Sequence, residues 1–266
     1  MACSALLRKA SLVGAFFVSA FYLAPALALC PPSGPLQSVQ VQRVVDGDTL
    51  RLADGRSVRL IGLNSPELGR DGRSAEPYAE AARRRLDELV SASGRRIGLQ
   101  LGREARDRYG RTLAHGFDAR GRNLEAQLLA EGLGYLVVIA PNLALLDCQR
   151  AAEQQARQAH AGLWRQPPLR SPQQLSRGGF ALVRGRVERV ERNGGGVWLE
   201  LDGPLVLQVA PKALAHFDVQ RLQRLAGMRV EARGWVVDRS RRGGVKPGKA
   251  RWLLPLSHEA MLEVLR

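Results

Sequence analysis

Lysine is scarce in this sequence and supplies only four of its 40 basic residues. Acidic residues are also few, 25 in all, so the formal net charge is +15 at pH 7. Such an excess favours a polyanionic partner, because phosphate groups attract cations and release bound counterions when a protein binds. Charge alone does not establish this partner, since an arginine-rich, lysine-poor composition can also reflect codon bias.

Long apolar runs are almost absent, and the main one extends from residue 12 to residue 29. A basic pair precedes it, and Ala26-Leu27-Ala28 matches the small-x-small pattern of a secretory cleavage site. We therefore expect residues 1–28 to be a signal peptide and the mature protein to be exported, periplasmic or secreted, without stable membrane association. The alternative is an uncleaved membrane anchor, which the short length of the run and Pro25 disfavour.

Cysteine is rare as well, with three residues in the whole sequence. Cleavage after residue 28 removes Cys3 and leaves Cys30 and Cys148. In an oxidising compartment this pair could close a disulfide between the mature N-terminus and a helix near residue 148. The alternative is two unpaired thiols.

The first half of the chain shows a strand pattern followed by helical and further strand patterns. Apolar and polar residues alternate over residues 39–63, and the Asp46-Gly47-Asp48 and Asp54-Gly55 turns divide this stretch into three strands. Apolar residues then recur every three or four positions, which is typical of a helix, over residues 76–90. Two more strands and two more helical segments follow, at 97–101, 112–117, 123–131 and 143–160. Five strands with a helix before the fourth predict a small Greek-key barrel of the oligonucleotide-binding (OB) type.

The second half repeats this pattern after a change in composition. Residues 165–179 are rich in Pro, Gln and Gly, which predicts a linker. Residues 180–266 then contain five predicted strands, with a helical stretch between the third and fourth at 211–225. We therefore predict a mainly β protein with α (α+β), in which a second small OB-like barrel follows the first. The loop at 239–249 carries five basic residues and could contact phosphates or simply be solvated.

Three short motifs of the first domain place polar side chains at strand ends: VDGDT at 45–49, RLIGLNSPE at 59–67 and DRYGRT at 107–112. The oxygen atoms of Asp46, Asp48, Asn64 and Ser65 are of the hard type that calcium prefers. Each motif alone is more often an ordinary turn than a site. Their occurrence together and in this order is specific.

The same motifs contain groups suited to phosphate chemistry. Arg59 and Arg111 have planar guanidinium groups that bind phosphate oxygens in pairs. Glu67 follows Pro66 on a predicted loop, where a carboxylate can orient a water molecule. The motifs therefore supply cations that bind phosphate and a carboxylate that can orient water.

This combination resembles the staphylococcal nuclease (thermonuclease) family. The resemblance runs from about residue 39 to the closing Gly162-Leu163-Trp164, and residues 123–133 are similar to the family's second helix. It implies a five-stranded OB barrel with three helices over residues 36–164. It also implies a calcium-dependent nuclease that hydrolyses phosphodiester bonds of DNA, RNA or both.

The resemblance also implies roles for single residues. Asp48 looks like the family's principal metal carboxylate and Asp46 like its acidic partner. Glu67 looks like the residue that activates or positions the attacking water. Arg59 and Arg111 look like the pair that clamps the scissile phosphate.

Two departures from the family pattern bear on the ligands. The family usually has aspartate at the position of Asn64, so we expect weaker calcium binding here. Its nucleotide-stacking tyrosines are replaced by aliphatic residues within 135–140, and Tyr135 is shifted earlier. Arg108, Tyr109 and Tyr135 remain candidates for substrate contacts.

These departures leave alternatives open. A catalytically weak or inactive nucleic-acid-binding module of the same fold would be consistent with Asn64 and the missing tyrosines, whereas the intact Arg59, Glu67 and Arg111 disfavour it. A structural envelope protein that binds anionic polymers needs none of the three motifs.

Overall fold

The structure, a computed structural model, describes residues 29–69, 72, 74–241 and 248–265. The predicted signal peptide and the centre of the basic loop at 239–249 lie outside these residues. Within the described ranges, no helix is both long enough and apolar enough to cross a membrane.

In the described residues, the first domain has seven strands and three α-helices: β1 (Gln37–Asp46), β2 (Thr49–Leu52), β3 (Ser57–Leu60), β4 (Leu63–Asn64), α1 (Ala79–Ala92), β5 (Arg96–Arg106), β6 (Thr112–Phe117), α2 (Leu124–Ala130), β7 (Tyr135–Leu136) and α3 (Leu146–Gln158). Five of the strands close a barrel in the order β1-β2-β3-β6-β5, in which β3 and β6 run parallel. The predicted five-stranded OB barrel with three helices is therefore confirmed. Its interior is apolar because alternate residues of each strand point inward, as Leu50 and Leu52 of β2 do.

The predicted third strand differs from the structure, because it divides at Ile61-Gly62. Gly62 has a φ of 87°, in the left-handed region, and a side chain there would overlap the Gln149 side chain of α3. After this break the chain forms β4, which pairs with β7 instead of continuing the barrel. This small sheet places the residues after Gly62 beside the barrel.

The helices of the first domain lie where the sequence predicts them, with shifted ends. α2 begins at Leu124 because the Asn123 side chain accepts a hydrogen bond of 2.9 Å from the Ala126 N–H. Of the two alternatives for the cysteines, the structure has the disulfide: Cys30 and Cys148 are bonded, with their Cα atoms 5.5 Å apart. It attaches the start of the described chain to α3.

The second domain is built from β8 (Leu169–Arg170), β9 (Gly179–Asn193), β10 (Gly196–Leu201), β11 (Leu205–Val209), α4 (Val219–Gln223), β12 (Arg229–Asp238), β13 (Trp252–Leu256) and β14 (Leu262–Leu265). The ring β9-β10-β11-β13-β12 closes through β12 and β9, and β11 and β13 run parallel. This is the strand order of the first barrel, so the predicted second OB-like barrel is confirmed. The predicted helix at 211–225 is a 3₁₀ turn followed by the short α4.

Two parts of the second domain differ from the sequence-based expectation. The segment 165–179 is not an extended linker: β8 pairs with β9, and Leu175 is buried. Its Pro and Gly residues form turns that pack on the barrel, which composition alone does not distinguish from a free linker. β14 was not predicted and forms an edge strand on β12. Most buried apolar residues of the two barrels belong to one continuous cluster. A second, smaller cluster joins Leu182 of β9 to Tyr135 and Trp164.

Candidate active site

The candidate site lies where the β1–β2 turn, β3 and β4 meet beside the barrel. The turn holds Asp46 and Asp48, Arg59 lies on β3 opposite Thr49 of β2, and Asn64 ends β4. Gly47 lets the turn approach closely, because a Cβ atom there would lie 2.6 Å from the Ser65 Cβ and 2.7 Å from that of Ala82. The local turn chemistry therefore brings two of the three motifs together.

Asp48 is the most enclosed carboxylate of the site, with 6% of its surface exposed. Its Oδ2 accepts hydrogen bonds from the Ser65 N–H at 2.8 Å and the Ser65 hydroxyl at 3.1 Å. Its Oδ1 accepts one from the Thr49 hydroxyl at 3.0 Å and forms an ion pair with Arg59. A carboxylate has about four acceptor positions, so protein donors occupy the capacity of Asp48 in this structure.

Arg59 lies between the acidic turn and β4. Its Nη2 donates to the Asn64 Oδ1 at 3.1 Å, in addition to the ion pair with Asp48. Burial lowers the pKa of Arg59 to about 10; the Asp46 charge acts in the opposite direction, and the Arg111 charge lowers the pKa further. Arg59 remains a cation at neutral pH. Arg111 lies near it because β3 and β6 pair with Val58 opposite Thr112, the residue after Arg111.

Arg111 is held by Asp107, the first residue of its motif. Its Nε donates to the Asp107 Oδ2 at 2.7 Å, and its N–H donates to Oδ1 at 2.9 Å. Burial acts to raise the pKa of Asp107, but the hydrogen bonds from Arg111 and Tyr109 outweigh it and lower that pKa. Asp107 was missed as a positioning residue, although an aspartate that begins a four-residue turn before Arg111 is a recognisable signal.

Glu67 lies on the loop after β4, and its backbone is held by Glu76. The Glu67 N–H donates to the Glu76 Oε2 at 3.0 Å, and the Glu76 N–H donates to the Glu67 carbonyl at 2.9 Å. The Glu67 side chain is exposed and makes no hydrogen bond or ion pair with the residues that the structure describes, yet its charge acts on Arg59. The loop thus leaves this carboxylate open to solvent, with its charge acting on Arg59. Glu76 is a second positioning residue that the sequence did not reveal.

The three predicted substrate contacts have different outcomes. Tyr109 is 69% exposed, and Arg108 donates to its hydroxyl at 2.8 Å while the Arg108 guanidinium lies 4.8 Å from the ring centre. Both side chains are therefore open to a ligand next to Arg111. The prediction that Tyr135 contacts substrate is wrong, because Tyr135 is only 5% exposed and its ring packs on Trp164 and Phe180 at 5.6 and 5.4 Å.

The donor atoms near the turn fit a hard divalent cation. Asp46, Asp48, Asn64 and the Ser65 carbonyl offer oxygen atoms only, which is the set that calcium accepts. Among the described residues no three His, Cys, Asp or Glu side chains lie close enough to share a metal ion, so two carboxylates must be supplemented by neutral oxygens. Such a set fits a cation with reduced affinity, because the number of charged ligands tunes calcium binding.

Comparison with known proteins places this arrangement among nucleases. Residues 57–166 match the family model described as staphylococcal nuclease homologue. Endonuclease YncB of Bacillus subtilis is 32% identical over 133 residues, which cover 48% of this chain and 62% of that protein. The SPbeta prophage-derived endonuclease YokF of the same organism is also 32% identical over 133 residues, 48% of this chain and 44% of that protein. The thermonuclease of Staphylococcus intermedius is 31% identical over 131 residues, 48% of this chain and 76% of that protein. The chain thus spans about half the length of the two Bacillus relatives.

Proposed function

Because this chain belongs to the staphylococcal nuclease family, we propose that it is a nuclease that hydrolyses phosphodiester bonds of DNA, RNA or both. One observation carries the proposal: Arg111 directly precedes Thr112, which pairs with Val58 next to Arg59, and the charges of Arg111 and Glu67 both act on Arg59. Two cations beside an accessible carboxylate match the needs of phosphodiester hydrolysis.

The two arginines bind and neutralise the scissile phosphate. Negative charge grows on the phosphate oxygens as water attacks, and guanidinium groups already in place stabilise that charge without reorganisation. Arg111 is held ready by Asp107. Arg59 exchanges its pairing with Asp48 and Asn64 for the phosphate, which frees those two oxygen ligands.

Glu67 positions the attacking water and accepts its proton. Its backbone is held at both the N–H and the carbonyl by Glu76, while its carboxylate is exposed. A water bound to this carboxylate is thereby presented to the phosphate that the arginines hold.

We propose calcium as the cofactor, held by Asp48, Asp46, Asn64 and the Ser65 carbonyl. The support is the oxygen-only donor set. When bound, the cation supplies further positive charge at the phosphate. Arg59 stands beside the same ligands, so phosphate binding by Arg59 and cation binding by Asp48 favour each other.

The test uses the mature chain with single-stranded DNA, double-stranded DNA and RNA, each with calcium or with a chelator. Glu67→Gln should lower kcat about 10²- to 10⁴-fold, the usual contribution of a general base. Glu88→Gln is the matched control, because Glu88 is an exposed glutamate of α1 that pairs with Arg85. Substrate that is bound but uncut by both the wild type and Glu67→Gln would refute the nuclease and leave the binding module.

We also propose that the protein acts outside the cytoplasm. The apolar run within residues 1–28 and the Cys30–Cys148 disulfide support this, because structural disulfides persist in oxidising compartments. Mass spectrometry of the protein recovered from the periplasm and the medium should give a mature N-terminus near residue 29 and no free thiol. Recovery of the full-length, reduced chain from the cytoplasm alone would contradict export.

A further inference from the structure

The second barrel contacts the first through the outer face of β12. Val230 and Ala232 of β12 point into the second barrel, whereas Glu231 and Arg233 point outward and are nevertheless buried. Helix α3 of the first barrel covers them with Glu153 and Arg157. Each charged residue of the strand thus meets a residue of opposite charge on the helix: Glu231 pairs with Arg157, and Arg233 pairs with Glu153.

Arg233 makes the most enclosed of these contacts. Its Nη1 lies 2.6 Å and 2.7 Å from the two carboxylate oxygens of Glu153 and 3.4 Å from the Leu136 carbonyl oxygen. Glu153 Oε1 in turn accepts a hydrogen bond of 2.7 Å from the Leu136 N–H. The pair therefore binds both backbone polar groups of Leu136, a residue of the first domain.

Leu136 belongs to the strand that supports the candidate active site. Leu136 of β7 pairs with Leu63 of β4, and Tyr135 pairs with Asn64. The next residue, Val137, donates its N–H to the Gly62 carbonyl at 3.1 Å. β4 has only two residues and stands outside the barrel, so β7 is its one strand partner among the described residues.

A buried ion pair is poor support for stability alone, because desolvation of both charges offsets much of their attraction. A buried arginine and carboxylate instead impose a defined hydrogen-bond geometry. Here the pair determines the position of the Leu136 backbone. Neighbouring pairs strengthen this orientation, since Arg157 bonds Glu231 at 2.8 Å and Arg184 bonds it at 3.0 Å.

We propose that Arg233 is a positioning residue for the nuclease site. From the second barrel it fixes β7, and through β7 it fixes β4, which ends at Asn64, and the loop that carries Ser65 and Glu67. The inference rests on the proposed nuclease function. It makes the second barrel a structural part of the active site and not only an appended module.

The experiment compares Arg233→Gln and Glu153→Gln with the wild type in the full mature chain, at a temperature where all are folded by circular dichroism. Each variant should lower kcat about 10- to 100-fold with KM changed less than about twofold, because the arginines that bind phosphate are untouched. Arg233→Lys should recover part of the loss, since lysine keeps the charge beside Glu153 without the planar guanidinium. Arg189→Gln is the control: Arg189 is an exposed arginine of β9 that pairs with Glu200 of β10 within the second barrel, so its kcat should match the wild type.

Hydrogen exchange provides a readout that does not depend on activity. In Arg233→Gln the amides of residues 61–68 and 135–138 should exchange at least about tenfold faster, whereas those of β10 should not change. If the wild type cuts no nucleic acid, the proposed function fails, but this exchange pattern still decides whether Arg233 holds β7 and β4.

Two results would overturn the inference. One is a folded Arg233→Gln protein with wild-type kcat and wild-type exchange in residues 61–68. If the single variants do not fold, the double variant Arg233→Met with Glu153→Leu replaces the ion pair by apolar groups. A folded double variant with wild-type kcat would also overturn it, whereas reduced kcat would support it.

Discussion

Asn64 determines how much negative charge the candidate cation site contains. Its amide oxygen accepts a hydrogen bond from Arg59, while Asp48 carries the ion pair to the same guanidinium. The neutral side chain keeps the hydrogen-bond geometry of the site but contributes no formal charge. Arg59 therefore offsets one of the two carboxylate charges of the turn.

We predict that Asn64→Asp will tighten calcium binding about tenfold, or about 1.4 kcal/mol, because affinity follows the number of charged ligands. Isothermal titration calorimetry with calcium alone measures this directly. Asn193→Asp in the second barrel, an exposed asparagine that bonds Trp198, is the control and should change nothing. Equal or weaker binding by Asn64→Asp would mean that Asn64 is not a ligand.

The lowered pKa of Arg59 also predicts that nuclease activity falls at high pH. Its pKa is lowered to about 10, chiefly by burial, so the cationic form is present below this value and is lost as the pH rises through it. kcat/KM, which reports the free enzyme, should therefore fall above about pH 10. Rates measured from pH 7 to 11, with circular dichroism to exclude unfolding, test this; a flat profile in folded protein would argue against a role for the Arg59 charge.

At the scale of elements, the break after β3 creates the site. Gly62 turns the chain out of the barrel so that β4 pairs with β7, and the loop that follows carries Glu67 past the arginines. Gly55 provides a natural comparison, because it has the same φ of 87° but open space around it. Substitutions at the two glycines therefore distinguish the cost of a positive φ from the cost of lost packing space.

Gly62→Ala should destabilise the protein by about 2 to 4 kcal/mol, because it adds overlap with Gln149 to the cost of a positive φ. Gly55→Ala should cost only about 1 kcal/mol, since it has the backbone term alone. Urea denaturation with a constant m-value measures both. Similar losses for the two variants would show that Gln149 moves aside easily.

At the scale of the whole molecule, ion pairs between α3 and β12 join the two barrels. Glu231 of β12 forms ion pairs with Arg157 of α3 and Arg184 of β9. Because α3 belongs to the first domain and both strands to the second, Glu231 connects the two domains. Burial acts to raise the pKa of Glu231, but the Arg157 charge and the hydrogen bonds of both arginines outweigh it, and that pKa is lowered. The junction is therefore sensitive to acid.

We predict how the folding stability of the protein changes with pH because of Glu231. A lowered pKa in the folded state contributes stability that is complete above the ordinary glutamate value, 4.5, and is lost as the pH falls below it. Urea midpoints from pH 7 to pH 3 should fall more steeply for the wild type than for Glu231→Gln. Glu188→Gln, an exposed glutamate of β9, should follow the wild type. Parallel curves for wild type and Glu231→Gln would exclude Glu231 as a source of acid sensitivity.

The sequence by itself determined the two barrels, the helices between their strands, the cysteine pair and the three motifs with Arg59, Glu67 and Arg111. These features are encoded locally, since side-chain periodicity and turn residues specify strands and helices over a few neighbouring positions. Only the tertiary structure decided that Tyr135 is buried, that Arg59 pairs with Asp48 and that β14 and the packed segment at 165–179 complete the second domain. It alone brought Arg233 to Glu153, 80 residues away, and both to the strand beside Asn64. Such contacts depend on which distant surfaces pack together, and local sequence periodicity does not encode this packing.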